Sequence, residues 1–347
     1  MPKETKKAVK EKQAVKNKLA ETADVDISEM EDNIREAAEY VTNTKKTKKR
    51  VVVNDDARDT CAILNGSKQS MTILSGTLEC LEFEENYKNP EVAICGVTSF
   101  EGFKILIPAG HMGLDMSQGD DGRGMNYKRF INAMLGSRVE YVVLGVDAEH
   151  KFAVASRRLA MEIRRKQYYL TQRQEGKSLM QAACDRKTPV KANVIAVSGS
   201  LVRLNVHGVD CKVFAKEASW RYVSDLSTLF CPGDSVNVLV RKIDIEPKSN
   251  RVTLDVSIRE ATENHQAKNA ARYKPDSICI GTVTGATTKG YYIALGDTDT
   301  GIDAFCNLVH GTVAPQVGDR VVCQLLHVDT EKGYATAKIT RIMQKGK

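Results

Sequence analysis

Along much of the chain apolar and polar residues alternate with a period of two, as they do in strands with one buried face. Segment 209–214 shows this most clearly: Val209, Cys211 and Val213 fall on one side, Asp210, Lys212 and Phe214 on the other. Ile293 and Leu295 likewise claim the inward side of 291–295 and leave Tyr292 outward. The pattern predicts paired short strands at 92–97 with 103–107, at 192–197 with 201–206, and at 280–283 with 291–295. It adds a third strand at 209–214 and at 302–306, and later strands at 152–156, 251–257 and 334–340. Segments 157–186 and 258–272 read instead as connecting helices. In the tail, Ile27, Met30, Ile34, Ala37, Ala38 and Val41 share one face of a short helix with Asp26 as its cap.

Three stretches, Gly136 to Asp147, Gly233 to Asp244 and Gly318 to Asp329, align without gaps. Each begins with Gly, has Val three residues on, Val or Ile at ten and Asp at eleven. Their wide separation predicts an array of small domains, not a solenoid of short units. About five strands in ~70 residues avoid bare edges best by closing into a five-stranded OB barrel. The expected fold class is all-β: tandem five-stranded OB-fold barrels joined by helical linkers, behind a disordered or helical N-terminal tail. The boundaries read as a lysine-rich tail at 1–50, a degenerate domain at 51–160, a linker at 161–186, a second domain at 187–260, a linker at 261–274 and a third domain at 275–347.

Charge divides these segments. Residues 51–156 hold nine basic and fifteen acidic side chains, while residues 187–260 hold eleven and eight, and 157–186 hold eight and three. A polyanion is therefore expected to prefer the middle of the chain. Arg251, Arg203, Lys212 and Lys216 are candidates to neutralise phosphates there, and Arg157, Arg158, Arg164, Arg165 and Lys166 form a second basic run. No apolar stretch approaches a membrane span and no apolar signal core follows the lysine-rich start, so a cytoplasmic protein with no membrane partner is expected. The nine cysteines are scattered without a CxxC and read as reduced thiols. The six histidines lack metal or triad spacing, no catalytic carboxylate cluster stands out, and Gly119 to Gly124 lacks the context of a phosphate loop. No cofactor, no metal and no enzymatic activity are expected.

Pro232-Gly233-Asp234 leading to Asp244, the ending Arg251, Val252, Leu254 and Ser257, the run Lys289 to Ile293, and Val317-Gly318-Asp319 together resemble the S1 RNA-binding domain family, an OB-fold module. The resemblance is specific over 187–347 and weaker over the first domain, which carries a long insertion. In that family RNA meets two aromatics around the second-strand turn, a histidine on the third strand, and an Asp/Arg pair flanking the last hairpin. The resemblance therefore implies, in the third domain, Lys289 and Tyr292 at the aromatic positions, Ala304 in place of the histidine, and Asp329 with Lys332 beside Gly333. In the second it implies Ser198 and Leu201 in place of the aromatics, Phe214 near the histidine position, and the pair Asp244 and Arg251. In the first it implies Phe100 and Phe103, with Asp147 and Lys151. Read from the residues alone, Asp147, Asp244 and Asp329 favour a turn-building role, since Asp bonds its own backbone.

The function implied is non-enzymatic binding of single-stranded RNA, notably messenger RNA, in translation, with the small ribosomal subunit as a further partner. The alternative is an RNA-tethering adaptor whose acidic first segment docks to ribosome, RNA polymerase or a nuclease.

Overall fold

The computed structural model describes residues 55–83, 89–113, 123–173, 176–247, 249–297, 300–308 and 314–346. The tail, including its Ile27 to Val41 face, and most of Gly119 to Gly124 lie outside the described residues. Sixteen strands among the described residues form three successive β-units.

The third unit shows the plan most simply. Strands β12 (Ile278–Ala286), β13 (Gly290–Leu295), β14 (Ile302–Asn307), β15 (Arg320–Asp329) and β16 (Tyr334–Gln344) close into a barrel in the order β12-β13-β14-β16-β15. Closure comes from the parallel pairing of β14 with β16, which sets Asp303 beside Tyr334. The inward set includes Val283, Ile293, Leu295, Ala304, Val321, Leu325 and Ala335, all nearly inaccessible. The second unit follows the same order without the closing ladder: β7 (Val190–Ser198), β8 (Leu201–Val206), β9 (Val209–Phe214), β10 (Ser235–Ile245) and β11 (Val252–Ser257) form the sheet β11-β10-β7-β8-β9. The expected all-β barrel architecture is thus present. The three repeated glycines earn their place as well: Gly136, Gly233 and Gly318 all enter their strands at positive φ, 83°, 99° and 95°, which costs glycine little.

The first unit departs from the sequence reading. Its strands are β1 (Leu74–Thr77), β2 (Cys80–Phe83), β3 (Ile94–Phe100), β4 (Phe103–Pro108), β5 (Arg138–Asp147) and β6 (Phe152–Ser156), in the order β1-β5-β6-β4-β3-β2. β1 pairs with β5 and β2 with β3, so the two are halves of one first strand bent at Leu78 and Glu79. The predicted strand at 92–97 starts too early, because Asn89 accepts a hydrogen bond from the Glu91 amide at 3.1 Å and caps a helical turn, α2, Pro90–Ala93. A preceding helix, α1 (Asp55–Ser70), inserts Leu64 into the core. A further helix, α3 (Arg123–Ala133), contributes Tyr127 and Ile131.

The linkers are packed. Helix α4 (Arg157–Arg165) starts directly from β6, capped by Ser156, whose hydroxyl accepts from the Leu159 amide at 3.2 Å. Tyr169, buried in the following turn, donates to the Val206 carbonyl at 2.6 Å. Tyr168 stacks flat on His207 at 4.0 Å. Helix α5 (Leu179–Asp185) completes this connection, and α7 (His265–Ala270) connects the second unit to the third.

Candidate nucleic-acid interface

Register places β8 and β9 of the second unit so that Leu201 faces Phe214, Arg203 faces Lys212 and Asn205 faces Asp210, all on the outer side of the sheet. The inner side is Val202, Leu204, Val206, Val209, Cys211 and Val213, and burial pushes the Cys211 thiol up to about 12. The outer row divides in two. At one end the first unit covers it. Arg157, only 3% exposed, donates to both Asp210 oxygens at 2.9 and 3.0 Å and to the Met112 carbonyl at 2.8 Å. The Arg203 guanidinium lies 4.6 Å above the Phe130 ring of α3. Burial there draws its pKa down, with Asp210 opposing. Arg203 is therefore spent on a contact between units and not offered to phosphate. Arg157 leaves the basic run for the same reason, and Arg164 pairs with Glu140 at 2.8 Å. At the other end Phe214 is 62% exposed, and Lys212 and Lys216 beside it are exposed too.

In the third unit a row of outward positions runs from Gly285 through Tyr292 and Phe305 to Thr336. Tyr292 does point outward, as its alternation requires, but its face is taken. The Tyr222 ring, from the loop after α6 (Ala215–Ala218), stacks on it at 3.8 Å and 9°, and Phe305 leans against it at 5.0 Å. A methyl group at Gly285 would overlap the Tyr222 ring, so the glycine opens the slot. Asp303 fixes the same loop: it accepts from the Tyr222 amide at 2.5 Å and from Arg221 Nε at 3.2 Å. Ala304 is 1% exposed and faces the core, and the outward neighbour on this strand is Phe305.

The remaining residues fall apart from one another. Lys289 is exposed at the Asn307 end of β14, and Lys332 is exposed at the Asp303 end beside Tyr334. Asp329 accepts from the amides of Glu331 and Lys332 at 3.1 and 2.9 Å, which holds its carboxyl below the usual range and builds the hairpin turn. Asp147 builds its own hairpin turn in the same way, accepting from the amides of Glu149 and His150 at 3.0 and 3.1 Å. Asp244 instead pairs with Lys242 at 2.8 Å, while Arg251 sits exposed at the foot of the same hairpin. Lys151 is exposed in the β5–β6 turn at φ 53°. Phe103 is 1% exposed in the first core, and Phe100 packs partly against it. Phe103 is therefore not available as the resemblance implied, while Phe100 stays half-buried at the turn between β3 and β4.

Three residues missed by sequence reasoning occupy the centre of this surface. Trp220, the single tryptophan, donates from Nε1 to the Thr262 carbonyl at 3.2 Å and carries the Arg259 guanidinium 4.8 Å above its ring. Arg221 and Tyr222 follow it. An aromatic and basic triplet in a loop was the available signal.

No protein-family model matches the chain. Small ribosomal subunit protein bS1 of Pseudomonas aeruginosa is 25% identical over 206 residues, 57% of this chain and 34% of that protein. The bS1 of Mycobacterium tuberculosis H37Rv is 24% identical over 290 residues, 81% of this chain and 56% of the relative. A 4-hydroxy-3-methylbut-2-enyl diphosphate reductase of Clostridium acetobutylicum is 23% identical over 318 residues, 88% of this chain and 46% of the enzyme. The chain thus spans about a third to a half of the curated relatives it matches. Among solved structures, a multidomain protein with nucleic acid binding domains from Streptococcus pneumoniae aligns over 78% of this chain and 73% of its own at 10% identity and a TM-score of 0.18, which leaves the fold to be argued from the strands. Those strands, their order and the matched sequence agree: the chain is a tandem array of OB-fold β-units and resembles bacterial ribosomal protein bS1.

Proposed function

We propose that the protein binds single-stranded RNA without chemical turnover, as an S1-type factor acting on messenger RNA in translation, with the small ribosomal subunit as a partner. The observation that carries this reading is the open end of the second unit's outer face. There Phe214 stands 62% exposed between the exposed Lys212 and Lys216. An exposed aromatic ring offers every base a stacking face, and flanking ammonium groups draw the backbone. The acidic first unit is turned to the second unit through Arg157 and Phe130, consistent with a supporting role.

The test is filter binding of single-stranded and duplex RNA over a salt series. Preference for the single strand, with affinity falling steeply as salt rises, is the expected result, because bound phosphates release counterions. Equal affinity for duplex, or a flat salt response, refutes the proposal.

A further inference from the structure

Between the second and third units lies a cleft of about 990 Å³. It is larger than a single nucleotide requires and lies at a junction of domains, a preferred place for ligand sites. Trp220 and Arg259 line it from the second unit, and Phe305, Tyr334 and Lys332 from the third, with Gln266 of α7 between them. The lining is aromatic and basic together, the chemistry that holds a base and its phosphate. Two of its lining residues each carry a buried donor that has no acceptor. Gln266 is 5% exposed, and its Oε1 accepts from the Asp303 amide at 3.0 Å, which fixes the orientation of the amide and leaves Nε2 unpartnered. Arg259 Nε is buried and unpartnered as well, while Nη2 of the same guanidinium reaches Glu217 Oε2 at 3.4 Å. Unsatisfied buried donors are uncommon in folded proteins, and two in one cleft call for a ligand that brings acceptors.

We infer that this cleft is a nucleobase pocket for single-stranded RNA, with a base beside Trp220 and Tyr334, its carbonyl oxygen accepting from Gln266 Nε2, and a neighbouring phosphate held by Arg259 and Lys332. The inference rests on the RNA-binding reading and adds to it a site that neither unit forms alone. The Tyr222–Tyr292 stack and the Arg221–Asp303 pair do not receive the base; they hold the two walls together. Uracil, cytosine and guanine carry the required carbonyl, whereas adenine does not.

The test uses the full chain, octauridylate, octaadenylate and an abasic oligomer of the same length, with Trp220 emission as a local reporter and anisotropy of labelled octauridylate as a global one. Octauridylate is expected to quench Trp220 and to bind more tightly than the other two. Tyr334→Ala, at an exposed position, is expected to weaken octauridylate roughly fivefold or more. Gln266→Leu, if folded by circular dichroism, is expected to remove the preference for uridylate over adenylate. If octauridylate binds by anisotropy while Trp220 emission is unchanged and Tyr334→Ala binds like the parent, the pocket is overturned and the RNA reading stands. Equal binding of the abasic oligomer also overturns it. Absence of binding by every oligomer, at low salt, overturns the RNA reading and the pocket together.

Discussion

Replacing Asp210 by alanine removes the carboxylate that the first unit's Arg157 reaches. The guanidinium is almost wholly buried and makes three hydrogen bonds, two to Asp210 and one to the Met112 carbonyl. Deleting one partner of a buried pair costs about 3–5 kcal/mol, because the other charge stays behind in a poor solvent. Two features reduce that here. The Asp210 side chain is 32% exposed, so water already screens the pair, and Arg157 keeps its carbonyl. The expected loss is therefore about 2–3 kcal/mol. Arg157→Met is the control: it leaves no buried charge, and Asp210 keeps its bond from Asn205 Nδ2 at 2.6 Å, so the expected loss is only about 1 kcal/mol. Urea unfolding followed by far-ultraviolet circular dichroism and by Trp220 emission measures both variants. A loss for Asp210→Ala below about 0.5 kcal/mol, the range of ordinary surface changes, refutes the claim that this pair fastens the first unit to the second.

Two further perturbations test the packing elsewhere. Gly285→Ala should displace the Tyr222 ring and free the Arg221 loop, so trypsin should cut after Arg221 faster than in the parent, an outcome read by limited proteolysis with mass spectrometry. His111 is buried beside Ser156, and burial first, the Arg158 charge second, lower its pKa from 6.5 to about 4. The unfolded chain then binds a proton that the folded one refuses. Stability from this group is complete above pH 6.5 and is lost as pH falls from 6.5 toward 4, by roughly 3 kcal/mol at most. Urea midpoints at pH 7 and 5 should differ more for the parent than for His111→Gln.

The barrels of the second and third units were legible because their strands alternate cleanly and their turns carry glycine at fixed offsets. The bent first strand was not, since β1 and β2 are four residues each and Gly76 and Leu78 interrupt the alternation. Phe103 shares parity with Ile105 and Ile107, so its burial was available in the pattern and the resemblance overrode it. Arg157, Arg203 and Tyr292 failed for a different reason. Period fixes which side of a strand a residue takes, and it took all outward positions as open to solvent. It carries no information about a neighbouring unit that covers the outside. Only packing between residues far apart in sequence, such as Tyr222 on Tyr292, reveals that.

That packing repeats. Asp210 and Asp303 are each the second residue of the third strand in their units, and each accepts from an arginine of the unit before it, Arg157 and Arg221. One position along the second strand, each unit also presents its flat outward group to the same neighbour, Arg203 to Phe130 and Tyr292 to Tyr222. The first unit has Lys104 at the matching position, paired with Glu82 of its own sheet. The face that an isolated barrel of this type would turn to RNA is thus used, twice, to seat one barrel on the next. Avidity between freely tethered modules depends on linker length; here the spacing between units is set by side-chain contacts instead. On the proposed RNA-binding reading, contacts with RNA fall to what that packing leaves open, which is Phe214 with its lysines and the cleft that Trp220 shares with the third unit. Loosening either arginine should therefore change how many nucleotides the chain spans before it changes the affinity of any one contact.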